Sequence, residues 1–218
     1  ISLYDEINIE KSDKITLDSN QKNIPLDNRN LAWKAAELFF NYTKINCGCN
    51  IYLNKKIPDG AGLGGGSSDA ATVLLALNDI YNTNLKEEEL LKISVQLGAD
   101  VPFFIIKGTC LAKGIGEILT KIENNTNPYI LLYKPEFSIS TKWAYENLNL
   151  NNKPYYDINK IVENIKNKEF KEPDKVNKVY EEVEKNVDNN KFAYALKMNL
   201  NKFSNFEAKK MNLYLSII

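Results

Sequence analysis

At the start of the chain apolar residues stand at alternate positions: Ile1, Leu3, Ile7 and Ile9 fall in one phase among polar neighbours. A period of two predicts strand with one covered face. From Asp27 the period lengthens. In DNRNLAWKAAELFF, Leu31, Ala35, Leu38, Phe39 and Tyr42 recur at helical spacing, with Asp27, Asn28 or Asn30 able to cap the helix. NIYLN (50–54) reads as a short strand and KKIPDG as the turn leaving it. From Ser67 onward Ala70, Ala71, Leu74, Leu75, Leu77 and Tyr81 predict a helix that can lie close against a sheet. KEEELLKISVQL predicts another, with acids in its first turn and Gly98 placed to end it in the left-handed conformation. TCLAKGIGEILTKI predicts two short strands joined around Lys113 and Gly114. ENNTNP (123–128) is the best candidate linker, followed by the strand YILLYKP and a Lys-, Glu- and Asn-rich region, 155–215, read as solvated helix faces. There is no internal repeat. The pattern is that of an α/β (α+β) chain, with 123–128 the candidate boundary between 1–125 and 126–218.

Composition narrows the chemistry. With 44% hydrophobic residues in 218, the chain can build a core. Its 28 basic and 28 acidic residues cancel, so no overall field draws it to nucleic acid or to an anionic membrane. It contains no histidine, which excludes Ser-His-Asp and Cys-His catalysis and histidine-rich zinc sites. Cys47, Cys49 and Cys110 form no C-x-x-C pair and are expected to be reduced thiols. There is no apolar run of membrane-spanning length and no signal-peptide pattern, so a cytoplasmic location is expected. The chain opens in mid-strand register and closes on Leu213, Leu215, Ile217 and Ile218. Both ends are therefore expected to lie inside a larger fold, and the isolated chain to expose apolar edges and aggregate.

Five of the ten glycines, Gly60, Gly62, Gly64, Gly65 and Gly66, fall within seven positions directly before Ser67, Ser68 and a helix. Glycine accepts positive φ and lets a ligand approach the backbone, so several N–H groups can turn toward one anion. The positive end of the helix dipole adds to their pull. A polyphosphate fits such a loop, with the two serine hydroxyls available to a phosphate oxygen or a metal ion. No Gly-Lys-Ser/Thr follows as in a Walker A loop, and the order is not a clean dinucleotide G-x-G-x-x-G with an acidic residue about twenty positions on. The plain alternative is a tightly turning surface loop. In LGADVPFF, Asp100 stands at a chain reversal. Such a residue is ordinarily a turn or N-cap residue, but without histidine a phosphoryl-transfer site needs a carboxylate to accept or orient the attacking hydroxyl's proton.

KKIPDGAGLGGGSSDAA resembles the second signature of the GHMP small-molecule kinases. With LGADVPFF and GTCLAKGIGE it is similar in particular to the 4-diphosphocytidyl-2-C-methyl-D-erythritol kinase branch of the non-mevalonate isoprenoid pathway. The likeness is dense over 30–120, thins through SISTKWAYENL and is weak from about 150. It implies a two-domain kinase fold, with an ATP-binding N-terminal domain over 1–125, that transfers the γ-phosphoryl of ATP to a tertiary hydroxyl at C2 of the methylerythritol unit. ATP and Mg²⁺ are the implied cofactors, and a cytidine diphosphate-linked small molecule the implied partner.

Carried over residue by residue, the resemblance implies that Pro58, Gly60, Gly62, Leu63, Gly64, Gly65, Gly66, Ser67 and Ser68 hold the ATP phosphates, Ser68 also serving the metal. Asp100 is the implied catalytic carboxylate. Asn30 and Lys55 match base-contacting positions, and Asp69, Thr141 and Tyr145 match positions near the substrate. For Lys55 and Lys56 the alternative is a plain surface lysine.

The sequence also departs from the pattern. It lacks the opening P-A-K-x-N-L strand, whose Lys partners the catalytic Asp, the G-Y-H segment, and the third, glycine-rich signature near the family's C-terminus. Little or no kinase activity is therefore expected of this chain by itself, because a missing ammonium leaves the Asp without its orienting partner. The other readings are a different GHMP kinase acting on a sugar, homoserine or mevalonate, a catalytically impaired nucleotide-binding fragment, and an α/β domain whose loop binds nothing.

Overall fold

The computed structural model describes residues 3–123, 131–132, 157–167, 196–199 and 210–213. The chain divides into two compact units, Ile1–Asp59 with Leu63–Ile122, and Gly60–Gly62 with Glu123–Ile218.

In the first unit β1 (Glu6–Ser12), β2 (Thr16–Ser19) and β3 (Gly48–Asn54) form a sheet in the order β1-β3-β2. β3 runs antiparallel to β1 and parallel to β2. A parallel pair needs a crossover, and helix α1 (Leu31–Thr43) lies within it. The alternation expected at the start of the chain sets the register: Ile7 stands opposite Leu53, while Ile9 and Leu17 both stand opposite Ile51. On the other face Glu6, Asn8, Glu10, Asn50 and Tyr52 are exposed.

Helices α1 and α2 (Gly65–Ile80) join the apolar face of the sheet in one core. Ala32, Ala35, Ala36, Ala70 and Ala71 are each at most 1% exposed, and such small side chains let two helices approach closely. This close approach rotates α1 from its expected phase. The buried face is Ala32, Ala35, Ala36, Phe39 and Phe40, whereas Leu31 and Leu38 are half-buried at the rim and Tyr42 is exposed, its hydroxyl donating to Glu89. The Tyr81 hydroxyl donates to the Gly48 carbonyl at 2.6 Å, fixing the end of α2 to the start of β3. Next along β3, Cys49 is buried, and burial pushes its thiol up to about 11.

Helix α3 (Glu87–Ser94) carries Glu87, Glu88 and Glu89 in its first turn, as expected from the dipole. Gly98 does not end it. The helix stops at Ser94, the carbonyls of Ile93 and Ser94 are taken by the N–H groups of Gln96 and Leu97, and Gly98 stays outside the left-handed region. Those turns satisfy the last carbonyls, so no left-handed cap is required. The short α4 (Val101–Ile106) follows with Pro102 in its first turn. β4 (Thr109–Lys113) and β5 (Ile118–Ile122) then form the expected hairpin through left-handed Gly114 and Gly116.

In the second unit β6 (Leu131–Leu132), β7 (Leu196–Asn199) and β8 (Lys210–Leu213) form an antiparallel sheet in the order β6-β7-β8, and α5 (Ile158–Asn167) is a helix. The region 155–215 is thus not helical throughout. LKMN and KMNL alternate apolar and polar residues, a period of two that the surrounding lysines and asparagines conceal. The linker expected at 124–128 lies outside the described residues. Among the described residues no helix is long and apolar enough to cross a membrane.

Candidate functional site

Helix α2 begins two residues earlier than its apolar pattern predicts, so Gly65 and Gly66 sit inside its first turn. Its N-cap is Gly64, at φ 67° and ψ 21°, with no side-chain cap. Gly60 and Gly62 also take positive φ, 61° and 66°, so every second residue from 60 to 64 adopts the conformation that glycine enters most easily. The first turn holds no acidic residue, and among the described residues no side chain caps its N–H groups. Backbone donors and the positive end of the dipole are left open to an anion. Ser68 closes the turn inward: its N–H donates to the Gly64 carbonyl and its hydroxyl to the Gly65 carbonyl, each at 2.8 Å. Ser67 and Leu63 are half-buried, as is Pro58 in the preceding turn.

Two contacts fix this backbone from below. A Cβ at Gly64 would lie 2.6 Å from Cζ of Phe104. One at Gly65 would lie 3.0 Å from Cγ2 of Ile57 and 3.3 Å from Nζ of Lys55. At Gly64 the left-handed dihedral and the packing both favour glycine, whereas at Gly65, inside the helix, only the packing does.

Below the start of the helix three charged side chains are buried together. Lys55 leaves the end of β3 with its side chain 8% exposed, and its ammonium donates to Asp5 and, at 2.7 Å, to Asp69. Asp5 also accepts the backbone N–H groups of Lys56 at 2.6 Å and Ile57 at 2.8 Å. Burial pushes Asp69 up to about 6, since Lys55 offsets only part of the desolvation and the Asp5 charge opposes ionisation. Burial acts on Asp5 in the same direction, but the Lys55 ammonium and the two N–H donors outweigh it and hold Asp5 below the usual carboxylate range. Burial pulls Lys55 down, and its two carboxylates more than compensate, so its ammonium is held above the usual range. Lys55 is therefore not a surface lysine, whereas Lys56, paired with Glu6 at 2.7 Å, is.

Asp100 stands at the N-cap of α4, exposed, and its side chain makes no hydrogen bond or ion pair among the described residues. Two contacts tie this corner to its neighbours. Phe104, four residues on, is the ring that packs against Gly64. Gly116 of the hairpin approaches Ala99, where an added Cβ would lie 3.6 Å from the Ala99 carbonyl oxygen. The segments GLGGGSSDAA, LGADVPFF and GTCLAKGIGE, distant in sequence, thus meet through named contacts.

The other candidate residues are placed differently. The Asn30 amide is engaged at both ends, accepting from Ala32 N–H as the N-cap of α1 and donating to the Pro25 carbonyl, both at 2.9 Å. Asp69 faces Lys55 inside the fold and is 4% exposed. Thr141 and Tyr145 lie outside the described residues. Sequence reasoning missed Asp5, although a signal was present: it occupies the same alternating phase as Leu3, Ile7 and Ile9, a charge where the pattern calls for an apolar residue. Among the described residues no cluster of three His, Cys, Asp or Glu side chains could hold a metal ion.

Comparison with known proteins places the chain in a family. The profile of the GHMP kinases N terminal domain matches residues 30–108, a span that includes the glycine-lined start of α2 and the Asp100 corner. A 4-diphosphocytidyl-2-C-methyl-D-erythritol kinase of Clostridium tetani (strain Massachusetts / E88) is 51% identical over 149 residues, covering 68% of this chain and 53% of that protein. One from Clostridium botulinum (strain Kyoto / Type A2) is 47% identical over 174 residues, covering 78% of this chain and 62% of the relative. The chain thus spans between about half and three-fifths of the length of these relatives. A crystal structure of 4-(cytidine 5'-diphospho)-2C-methyl-D-erythritol kinase superposes with a TM-score of 0.64 at 31% identity, covering 84% of this chain and 68% of that one. The homoserine kinase of Cytophaga hutchinsonii, at 20% identity and a TM-score of 0.65, shares the fold. With the α+β fold, the glycine-rich signature and these relatives in agreement, the chain belongs to the GHMP kinases and, among them, to the 4-diphosphocytidyl-2-C-methyl-D-erythritol kinase family.

Proposed function

We propose that the chain carries the nucleotide-binding and proton-handling parts of an ATP-dependent kinase that phosphorylates the C2 hydroxyl of 4-diphosphocytidyl-2-C-methyl-D-erythritol, a cytoplasmic step of non-mevalonate isoprenoid biosynthesis. The observation that carries this reading is the start of α2 itself: left-handed glycines lead into an N-terminus that no side chain caps, and Phe104 joins it to the exposed Asp100, which is unpaired among the described residues. The N–H groups of Gly65, Gly66 and Ser67 bind and orient phosphate oxygens, and the α2 dipole adds to their pull. Asp100 orients the substrate hydroxyl and accepts its proton as the bond to phosphorus forms. Phosphoryl transfer needs positioning and charge stabilisation more than covalent help, which suits backbone donors held rigidly from below.

ATP fits the cradle because Cβ atoms at Gly64 and Gly65 would crowd Phe104, Ile57 and Lys55, leaving the backbone bare for close approach. Mg²⁺ would be held by ATP oxygens and the Ser68 hydroxyl, and would supply neutralisation of phosphate charge. Asn30 and Lys55 support the nucleotide by shaping backbone, since their side chains are engaged internally.

The test is ATP-dependent ADP release with and without the diphosphocytidyl-methylerythritol substrate, beside an Asp100→Asn control. Little substrate-dependent ADP is expected of this chain by itself, and what it releases should fall by about 10²–10⁴-fold in that variant. An unchanged rate removes Asp100 from the mechanism. ADP release indifferent to the substrate, but stimulated by homoserine, mevalonate or a sugar, would replace the acceptor.

A further inference from the structure

We propose that Asp5, Lys55 and Asp69 form a staple across the base of the glycine loop, acting as positioning residues that set the chain's affinity for the polyphosphate of its nucleotide. The inference rests on the phosphate-loop reading above and names the parts that give the loop its shape.

Lys55 is the last residue before the loop and Asp69 the first buried residue after it, so their 2.7 Å contact closes the segment 56–68 at its base. Asp5 approaches from the position directly before β1. It holds the same ammonium and, through the N–H groups of Lys56 and Ile57, the first two residues of the loop. The ammonium lies against Gly65, where an added Cβ would be 3.3 Å from Nζ, so the staple sits directly beneath the first turn of α2. None of these bonds uses an N–H of residues 64–67. The loop is therefore fixed without occupying the donors that an anion needs, and a preformed site loses less freedom on binding.

The net charge of the staple separates this role from simple attraction. Two carboxylates and one ammonium sum to one negative charge, which opposes a polyphosphate. If the group acted through its field, removing Asp5 would strengthen ATP binding. If it acts by holding the loop, removing Asp5 or Lys55 weakens ATP binding alike.

The experiment is calorimetric titration of the 218-residue chain with MgATP and, separately, with adenosine, for wild type, Asp5→Ala, Lys55→Met and Lys55→Arg, each checked for a cooperative melt. Asp5→Ala and Lys55→Met should each weaken MgATP by about tenfold and adenosine by less than about twofold, because only the phosphates read the loop. Lys55→Arg, which keeps the charge and both partners, should stay within about threefold of wild type for MgATP. If Asp5→Ala or Lys55→Met does not fold, Asp5→Asn is read in its place, and the same loss confined to MgATP is expected. Unchanged or tighter MgATP binding by a folded Asp5 variant overturns the staple while leaving the kinase reading intact, as does an equal loss for both ligands. A wild-type chain that binds neither MgATP nor adenosine overturns the phosphate-loop reading and the staple with it.

Discussion

Two helices of the first unit are preceded by loops rich in turn residues, and their N-termini are built on opposite principles. At α1 the Asn30 side chain caps the Ala32 N–H, and the loop before it carries an exposed, bidentate pair between Asp27 and Arg29 with Nε–Oδ1 and Nη2–Oδ2 distances of 2.9 and 2.8 Å. At α2 the cap position is a glycine, no side chain among the described residues caps the first turn, and the ion pairs lie buried beneath the loop. The first N-terminus is finished within the chain, with its charges in water. The second is left open at the top and fixed from underneath. The second is the arrangement that the proposed phosphate loop requires.

The contrast rests most heavily on the staple. Lys55→Met leaves two buried carboxylates facing each other without a cation and should lower stability by about 3–5 kcal/mol, read as the urea midpoint at neutral pH. A loss below about 1 kcal/mol would mean that the buried N-terminus is no more dependent on its charges than the exposed one.

Acid titration probes the same difference. The folded-state value of Asp69, about 6, stands above the ordinary 3.8, so its contribution is fully present below pH 3.8 and is lost as the pH rises through 6. A shift of roughly two units corresponds to about 3 kcal/mol. Asp5, held below its usual range, contributes in the opposite sense, losing stability as the pH falls. Comparing wild type with Asp69→Asn isolates the first effect: the Asn variant should gain on wild type by about 2 kcal/mol between pH 4 and pH 7. A flat difference would remove the strain from Asp69. A charged Asp69 held against such a penalty fits a group kept for position more than for stability.

Gly64→Ala tests the loop backbone. A Cβ at φ 67° costs about 1–2 kcal/mol before Phe104 is displaced, and the calorimetric MgATP signal should weaken with it. For stability alone Gly66→Ala should not be harmful, because there a Cβ would meet only Leu31 Cδ1 among protein atoms, at 3.7 Å. The effects are smallest at α1. Asn30→Ala should cost about 1 kcal/mol for the lost cap, while Arg29→Ala should leave the urea midpoint unmoved because that pair is exposed.

Local signals in the sequence located most of this. The glycine run, the acids opening α3, the hairpin around Gly114 and the alternating start of the chain each encode structure within a few residues. What escaped depends on contacts between distant segments. The phase of α1 follows from burying Ala32, Ala35 and Ala36 in the same core as Ala70 and Ala71 of α2, and Leu31 gives no hint of it. The end of α3 is set by turns at Gln96 and Leu97, so the glycine at 98 misleads. The role of Lys55 looked like a choice between surface and base contact because neither carboxylate partner is nearby in sequence. Asp5 and Asp69 were nevertheless marked, the first in the inward phase of a strand, the second on the buried face of α2 with Ala70, Val73, Leu74 and Leu77. A charge at a core position asks for a partner, and that question is answerable from pattern alone.

The staple also bears on when the site comes into being. Asp5 and Lys55 are 50 residues apart, and they meet only after β1 has paired with β3. The glycine run and the helix behind it are local and can form early, but contacts over such separations must await closure of the long intervening loop. A partly folded chain can thus contain α2 in full and still present no formed anion site. A polyphosphate bound as proposed, preferring the stapled loop, would favour the completed fold and so select the protein's finished form.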